Sequence, residues 1–405
     1  MISLCMIVRN EAELLPGFLQ AVDGLWDELC VADTGSTDDT CRILEQAGAR
    51  LTHFPWIDDF AAARNASLAL ATGDWVLYLD PDETPSPTLI AAIRALDDDP
   101  TAGAATVLMR NQRETGDYTE TRLLRLFRRR PGIRFEHAIH ESVNPTVNAM
   151  LAAENRALRH LPGHVDHVGY TAHWMRQRQK RQRDQAILET ALTQRPDDLY
   201  SAHKLLELAH YWQDAALAQS TAERLLDTLS HLPADALARQ HWGGDLLARL
   251  ARTLGEQVPA RALQILALRP VVPTLDYLET RGLFLETAGD LRGAEMDFLA
   301  AITACEAERA PAATHINALL GLTRLALARG DLAACTSTLS RALELNPQHR
   351  LVLRYTLLLA NLSGGKAQLM ACCRDLQQRF GIAAALQELA PEFGLTVGEA
   401  SGLAS

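Results

Sequence analysis

No stretch of this 405-residue sequence is apolar for long enough to cross a bilayer, so no helical membrane anchor is expected. Positive charge is in short supply: 39 Lys and Arg stand against 50 Asp and Glu, a formal net charge of −11. That balance argues against broad binding to nucleic acid or to an anionic membrane, and it leaves room for a local basic groove. The seven cysteines lack zinc-type spacing; Cys372 and Cys373 are adjacent and the others lie scattered in apolar context. They read as reduced thiols of a cytosolic protein rather than as a disulfide framework. His137-Ala138-Ile139-His140-Glu141 matches neither His-Glu-x-x-His nor His-x-x-Glu-His, so zinc peptidase chemistry is not expected there. Ile2–Val8 is a strand-like run followed at once by Glu11 and Glu13, unlike a signal peptide. The expectation is a cytoplasmic protein of two or more domains, since this length and 48% hydrophobic content suffice for real cores.

What is present is organised around Trp75–Glu83, a short apolar run ending in Asp80, Asp82 and Glu83. Gly73-Asp74 before it signals a turn, and the run has the length of a buried strand. Three carboxylates at a strand end repel one another unless a divalent cation sits among them, and hard oxygen ligands suit Mg²⁺ or Mn²⁺ with a bound phosphate. Two readings stand at this point: a metal–diphosphate site at Asp80 and Asp82, or an acidic loop that caps the next helix. Strands are also expected at Ile2–Val8, Glu28–Ala32 and Arg50–Phe54, alternating with helices. Ser36 with Asp39, Asp59, and Ser86-Pro87 are the expected helix starts. Such alternation predicts a doubly wound, mostly parallel sheet. Polar groups gather where its strands end, at Asn10, Glu11, Asp33 and Asp80, and ligands bind outside those ends in open α/β sheets. Arg64, just before the central strand, can meet phosphate or a base, or can form a surface ion pair with Asp58 or Asp59.

Four ordered segments carry a resemblance: Ile2–Glu11, Val31–Asp38, Asp59–Asn65 and Leu79-Asp80-Pro81-Asp82-Glu83. Together they resemble the motifs of GT-A glycosyltransferases of family 2, and in particular the bacterial subgroup with C-terminal tetratricopeptide repeats that includes glycocin-type peptide S-glycosyltransferases. The resemblance covers residues 1–185 and extends to the remainder only as repeat architecture. It implies a Rossmann-like GT-A domain and a nucleotide-sugar donor, with UDP the expected nucleotide. By that match Val8, Asn10 and Glu11 border the uridine, Asp33 reaches the base and Arg64 lies near the base or the diphosphate. Asp80 faces ribose and metal, and Asp82 ligates Mn²⁺ or Mg²⁺. Pro81 departs from the small Ala more usual in the family; it has no N–H to offer, but the strand is ending there. Glu141 is the candidate base for an inverting transfer, or else a structural carboxylate paired with His140 or a nearby Arg. His167, in a segment similar to the subgroup's His-x-Gly-Tyr, is a candidate third metal ligand or diphosphate contact, or else a partly buried histidine bonded to backbone.

Further strands are expected at Ala104–Arg110 and Leu123–Phe127. The arginines 122, 125, 128, 129, 130 and 134 form either a solvated face or a positive wall beside the diphosphate. From Arg176 the pattern is helical, and its basic side through Lys180, Arg181 and Arg183 reads as solvated. Gly289-Asp290-Leu291 and Gly330-Asp331-Leu332 head matched helical patterns, and Gly282, Ala294, Phe298 and Ala301 suit tetratricopeptide positions. The organisation expected is a GT-A domain over 1–175, a helical linker over 176–196, all-α repeats over 197–390 and a mobile tail over 391–405. Stacked hairpins present a concave face for a protein or peptide acceptor, or for a homodimer. The expected activity is a metal-dependent inverting transfer from a nucleotide sugar to a protein or peptide side chain. The alternatives are transfer to a glycan or small molecule with the repeats dimerising, and a repeat scaffold with an inactive transferase domain. Without membrane helices, processive polysaccharide export is set aside.

Overall fold

The computed structural model describes residues 1–96, 99–112, 118–167, 174–238, 240–307 and 315–396. The chain divides into two compact units, Met1–Asp214 and Ala215–Ser405.

The first unit opens with β1 (Ile2–Val8), α1 (Leu15–Ala21), β2 (Glu28–Asp33), α2 (Thr40–Gln46), β3 (Arg50–His53), α3 (Phe60–Leu68) and β4 (Trp75–Tyr78). It continues with β5 (Glu83–Pro85), α4 (Pro87–Ala95), β6 (Ala102–Gln112), β7 (Tyr118–Arg128), α5 (Asn144–Glu154), β8 (Ala157–His167), α6 (Trp174–Gln194) and α7 (Leu199–Tyr211). The eight strands form one sheet in the order β3-β2-β1-β4-β7-β6-β8-β5. The first four are mutually parallel, as the alternation predicts. Antiparallel β7 then joins β4 to β6, β8 runs parallel to β6, and β5 is antiparallel to β8.

Alternate residues of the strands serve two cores, because successive side chains point to opposite faces. Leu4, Met6 and Leu77 pack with Leu15, Phe18, Leu89 and Ile93 of α1 and α4. Cys5, Val76 and Phe127 pack on the other face with Ala61, Val147 and Leu151 from α3 and α5. The helices thus cover both faces and leave the strand ends open.

Asp59 caps α3 by accepting from the Ala62 N–H at 2.8 Å, and Ser86 caps α4. The expected Ser36–Asp39 capping box does not form. Ser36 Oγ instead accepts from the Asn10 N–H at 2.9 Å, and α2 starts later, with the Thr40 N–H and hydroxyl donating to Asp38. The turn residues are drawn toward the neighbouring strand end instead of the helix.

The second unit is wholly helical among the described residues. It comprises α8 (Ala215–His231), α9 (Gly243–Gly255), α10 (Pro259–Leu266), α11 (Leu275–Thr287), α12 (Leu291–Ala307), α13 (Ile316–Ala328), α14 (Leu332–Leu345), α15 (Arg350–Phe380) and α16 (Ala383–Leu389). Gly289 and Gly330 have φ of 87° and 72°, ending α11 and α13 in the left-handed region that glycine adopts without strain. Asp290 and Asp331 then accept from the N–H groups of Gly293 and Ala334 at the start of the next helix. Phe298 of α12 lies against both Gly282 and Gly321, where a Cβ would fall 2.7 and 2.5 Å from its ring. A small residue on α11 and on α13 is therefore what lets one aromatic ring join three helices of the repeat array.

Two expected boundaries are placed differently. The first unit runs on to Asp214, past the linker expected at 176–196, because α6 and α7 pack on each other within it. The tail is not free from 391: Ala390–Phe393 is a 3-10 turn, Glu392 pairs with Arg350 and Arg354, and Leu395 is buried. Residues 397–405 lie outside the described residues.

Candidate active site

Parallel pairing sets β1, β2 and β4 in register, Val8 beside Asp33 and Cys5 beside Tyr78, so the chain leaves all three strands along one edge. β6 and β8 deliver Asn111 and His167 as register partners. After Tyr78 the chain makes a tight turn. The Glu83 N–H donates to the Asp80 carbonyl at 3.0 Å, and the Asp80 N–H donates to the Glu83 carboxylate at 3.0 Å. Pro81 occupies the second position of this turn, where a fixed φ is favourable and a missing N–H costs nothing. Glu83 is held from behind by Arg125 at 2.5 Å; both are buried, and Arg125 lies 4.7 Å from the Tyr78 ring centroid. With Glu83 anchored, Asp80 and Asp82 are presented outward.

They open on a cavity of about 530 Å³. Val8 lines it from the end of β1 and Glu11 from the turn after it, Trp56 from the loop before α3, Phe60 from the first residue of α3, and Glu141 from the loop before α5. Arg64 is 6% exposed and stands at the centre of its charge network. Its Nη1 and Nη2 donate to the two oxygens of Asp80 at 3.1 and 2.9 Å, and its Nε donates to Glu141 at 2.6 Å. The rings of Tyr78 and Phe135 lie within 5.4 and 5.9 Å of the guanidinium carbon. Burial alone would raise the Asp80 carboxyl, but the Arg64 charge outweighs it and holds the group below the ordinary carboxylate range. The surface pairing of Arg64 with Asp58 or Asp59 does not occur: Asp58 accepts from Trp56 Nε1 and Asp59 caps α3.

His167 Nε2 lies 3.2 Å from Asp82 Oδ2, and its Nδ1 lies 2.7 Å from Asn111 Oδ1. The amide oxygen can only accept, so Nδ1 carries a proton and Nε2 is turned toward Asp82. Asp82 favours the imidazolium, whose Nε2–H donates to it, and so raises the group above its usual value; loss of that proton frees the Nε2 lone pair. A carboxylate oxygen and an oriented imidazole nitrogen make a donor pair suited to Mn²⁺ or another divalent ion. Asp80 does not complete a three-residue set with them. Among the described residues, the one group of three whose ligand atoms lie within 4.8 Å of one another is Asp33, Cys41 and His53. Arg64 is what holds Asp80 aside.

Two residues expected on the nucleoside do not line the cavity. Asn10, with φ of 57°, accepts from the Thr37 N–H at 2.7 Å and so fastens the end of β1 to the turn after β2. Asp33 is 3% exposed, and its carboxylate accepts from the N–H groups of Gly35 and Ser36. Burial pushes Asp33 up, but the Ser36 and Gly35 donors outweigh it and hold it below the ordinary range.

Sequence reading missed part of the wall. Lys180, Arg183 and Asp184 of α6 line the cavity, although this basic side was expected to be solvated. Asp184 is 5% exposed and accepts from Arg183 Nε and Nη2 at 2.9 and 2.7 Å. The spacing of 180, 183 and 184 puts all three on one helical face, which was the available signal. The arginines expected to form one cluster have separate partners instead. Arg125 pairs with Glu83, Arg129 bonds the Gly73 carbonyl, Arg130 pairs with Glu154 and Arg134 with Glu136. The segment from Val168 to His173 lies outside the described residues.

Residues 3–156 match the family described as Glycosyl transferase family 2. A TPR repeat-containing protein of Synechococcus elongatus is 42% identical over 264 residues, 62% of this chain and 64% of that protein. An uncharacterized glycosyltransferase of Rickettsia felis is 37% identical over 82 residues, 20% of this chain and 29% of its own length. The SPbeta prophage-derived glycosyltransferase SunS of Bacillus subtilis is 33% identical over 79 residues, 19% of each chain. The chain thus spans less than two thirds of the length of each of these relatives. The segment similar to family 2 glycosyltransferases runs from β1 to the end of the loop before β8 and contains Arg64, Asp80, Asp82 and Glu141, and a wholly helical unit follows later in the same chain.

Proposed function

We propose that this protein transfers a sugar, with inversion, from a UDP-sugar to a side chain of a protein or peptide. The observation that carries the reading is the cavity at the strand ends of a domain similar to family 2, where Arg64 joins Asp80 to Glu141 and Asp82 faces His167. Val8 and Glu11 border the nucleoside, as the family resemblance implies. Lys180 and Arg183 on the facing helix attract the donor's diphosphate. Asp82 and His167 fit a divalent cation, Mn²⁺ or Mg²⁺, which when bound neutralises charge developing on the leaving diphosphate. Arg64 fixes the Asp80 and Glu141 carboxylates so that no reorganisation is needed during reaction. Glu141 takes the acceptor's proton while the acceptor atom bonds to the anomeric carbon and the bond to the diphosphate breaks. A repeat scaffold with a dead transferase domain would have no use for this charge network.

The test is nucleoside-diphosphate release from UDP-, GDP- and dTDP-sugars, with Mn²⁺ and with chelator, for the wild type and Asp82→Asn. We expect turnover of a UDP-sugar that chelator stops, and a loss in Asp82→Asn of about 100-fold or more with the fold intact. Equal turnover in the variant defeats the metal assignment, and no turnover or binding of any sugar nucleotide defeats the transferase reading.

A further inference from the structure

Beside the catalytic cavity lies a second, smaller groove of about 230 Å³ between α6 and α7. The two share His140, Lys180 and Asp184 as lining, so they adjoin. The outer wall of the groove is apolar: Leu208, Tyr211 and Trp212. Tyr211 is 64% exposed, a high value for an aromatic residue, and meets the Trp212 ring edge-on at 5.1 Å between ring centroids. Most charged groups around this wall are held in ion pairs. Arg181 donates to Asp214 at 2.6 Å and lies 5.8 Å from the Trp212 ring, Lys204 pairs with Glu207 at 2.8 Å, and Arg183 holds Asp184.

We propose that this groove is an acceptor subsite, and that it takes an aromatic or large aliphatic side chain of a polypeptide, a fixed number of residues from the one modified. The inference rests on the transferase reading above and goes beyond it by placing acceptor recognition within the first unit. Two observations select a peptide over a glycan. A sugar ring brings hydroxyls that need convergent donors and acceptors, and most of the charged groups here are already paired. An exposed aromatic on an apolar wall is the kind of anchor that dominates recognition of polypeptide side chains. Because the groove adjoins the cavity lined by Glu141, a peptide anchored in it brings a nearby residue to the base.

The test uses the full-length protein, the UDP-sugar it hydrolyses, and a peptide library with Cys, Ser, Thr or Asn at the centre and randomised flanks. Mass spectrometry reads which flanks are enriched among modified peptides. The wild type should enrich an aromatic or large aliphatic residue at one flanking position. Tyr211→Ala should reduce that enrichment about tenfold, the effect of losing an aromatic anchor, while acceptor-free donor hydrolysis stays within about twofold, since Tyr211 does not line the donor cavity. Tyr211→Phe should keep the enrichment. Enrichment that survives Tyr211→Ala, or modified peptides with no preferred flank, overturns the subsite. Transfer to soluble oligosaccharides and to no peptide overturns the peptide class. Failure of donor hydrolysis in the wild type refutes instead the transferase reading on which the subsite rests.

Discussion

Arg64 is the residue on which the site depends. It carries one positive charge, is almost wholly buried, and faces two carboxylates from distant parts of the chain. Removing it leaves Asp80 and Glu141 near each other without compensation. Arg64→Ala is therefore expected to cost about 3–5 kcal/mol, the range for breaking one side of a buried ion pair, as measured by urea denaturation. Arg64→Lys keeps the charge but lacks the planar fork that spans Asp80 and Glu141 together, so it should recover only part of that loss. Glu141→Gln tests the proposed base: its amide oxygen still accepts from Arg64, so UDP affinity by calorimetry should hold while transfer to acceptor falls. Transfer that persists in Glu141→Gln puts the base elsewhere. Asp80, Asp82 and Arg64 were legible in the sequence because they sit at strand ends or in a segment of known resemblance. The partners of Arg64 were not, since Glu141 is 77 residues away and only the fold brings it to the guanidinium. Asp33 and Asn10 show the converse: the residue types were those of a binding site, and in the structure their side chains first hold the turn that shapes it.

At the scale of elements, the parallel half of the sheet was readable from buried runs bounded by turn signals. β5 and β8 were not. β5 is three residues long, and β8 mixes His, Pro, Gly and Asp with few apolar residues, so neither has a strand pattern of its own. Both exist through pairing: Glu83 lies opposite His167, which delivers His167 to Asp82. The opposite end of the sheet is tied by Glu28. Burial would raise its carboxyl, but Ser3, Thr72 and Arg50 outweigh this and hold it at about 2, against an ordinary 4.5. The folded value is below the unfolded one, so the stabilisation is fully present above pH 4.5 and is lost as pH falls toward 2. The shift corresponds to roughly 3 kcal/mol. Glu28→Gln should flatten the fall in stability across that window, measured by denaturation at pH 6, 4 and 3; an unchanged slope removes Glu28 from the account. The loop before α5 depends on α7 in a similar way. His137 and His140 have φ of 73° and 53°, where a non-glycine residue is strained. Tyr200 stacks on the His137 ring at 3.6 Å and donates to the His140 carbonyl at 2.7 Å. Tyr200→Phe keeps the ring and loses the bond, at a cost of about 1 kcal/mol. Since that loop places Glu141, transfer should fall more than UDP affinity; an equal fall in both would mean that the loop does not position the base.

For the whole molecule the question is which part suffices for chemistry. Helical content after residue 176 was readable from periodicity, but periodicity does not say which domain a helix joins, because a linker helix and a wall helix share the same apolar stripe. Here α6 supplies Lys180, Arg183 and Asp184 to the cavity, and α7 supplies Tyr200 to the loop of Glu141. A chain cut at 196 keeps α6 but loses Tyr200 and the Asp214 partner of Arg181, whereas a chain cut at 214 keeps both. Residues 1–214 are thus expected to unfold in one cooperative transition and to retain metal-dependent donor hydrolysis, and residues 1–196 to lose hydrolysis or solubility. Acceptor assays on the 1–214 chain then separate two routes of recognition. If short peptides are read by the groove at Tyr211 and whole proteins by the repeats, the 1–214 chain should still modify peptides while its turnover of protein acceptors drops. Peptide transfer lost together with protein transfer, with hydrolysis intact, would assign all acceptor recognition to the second unit and leave the groove without a role.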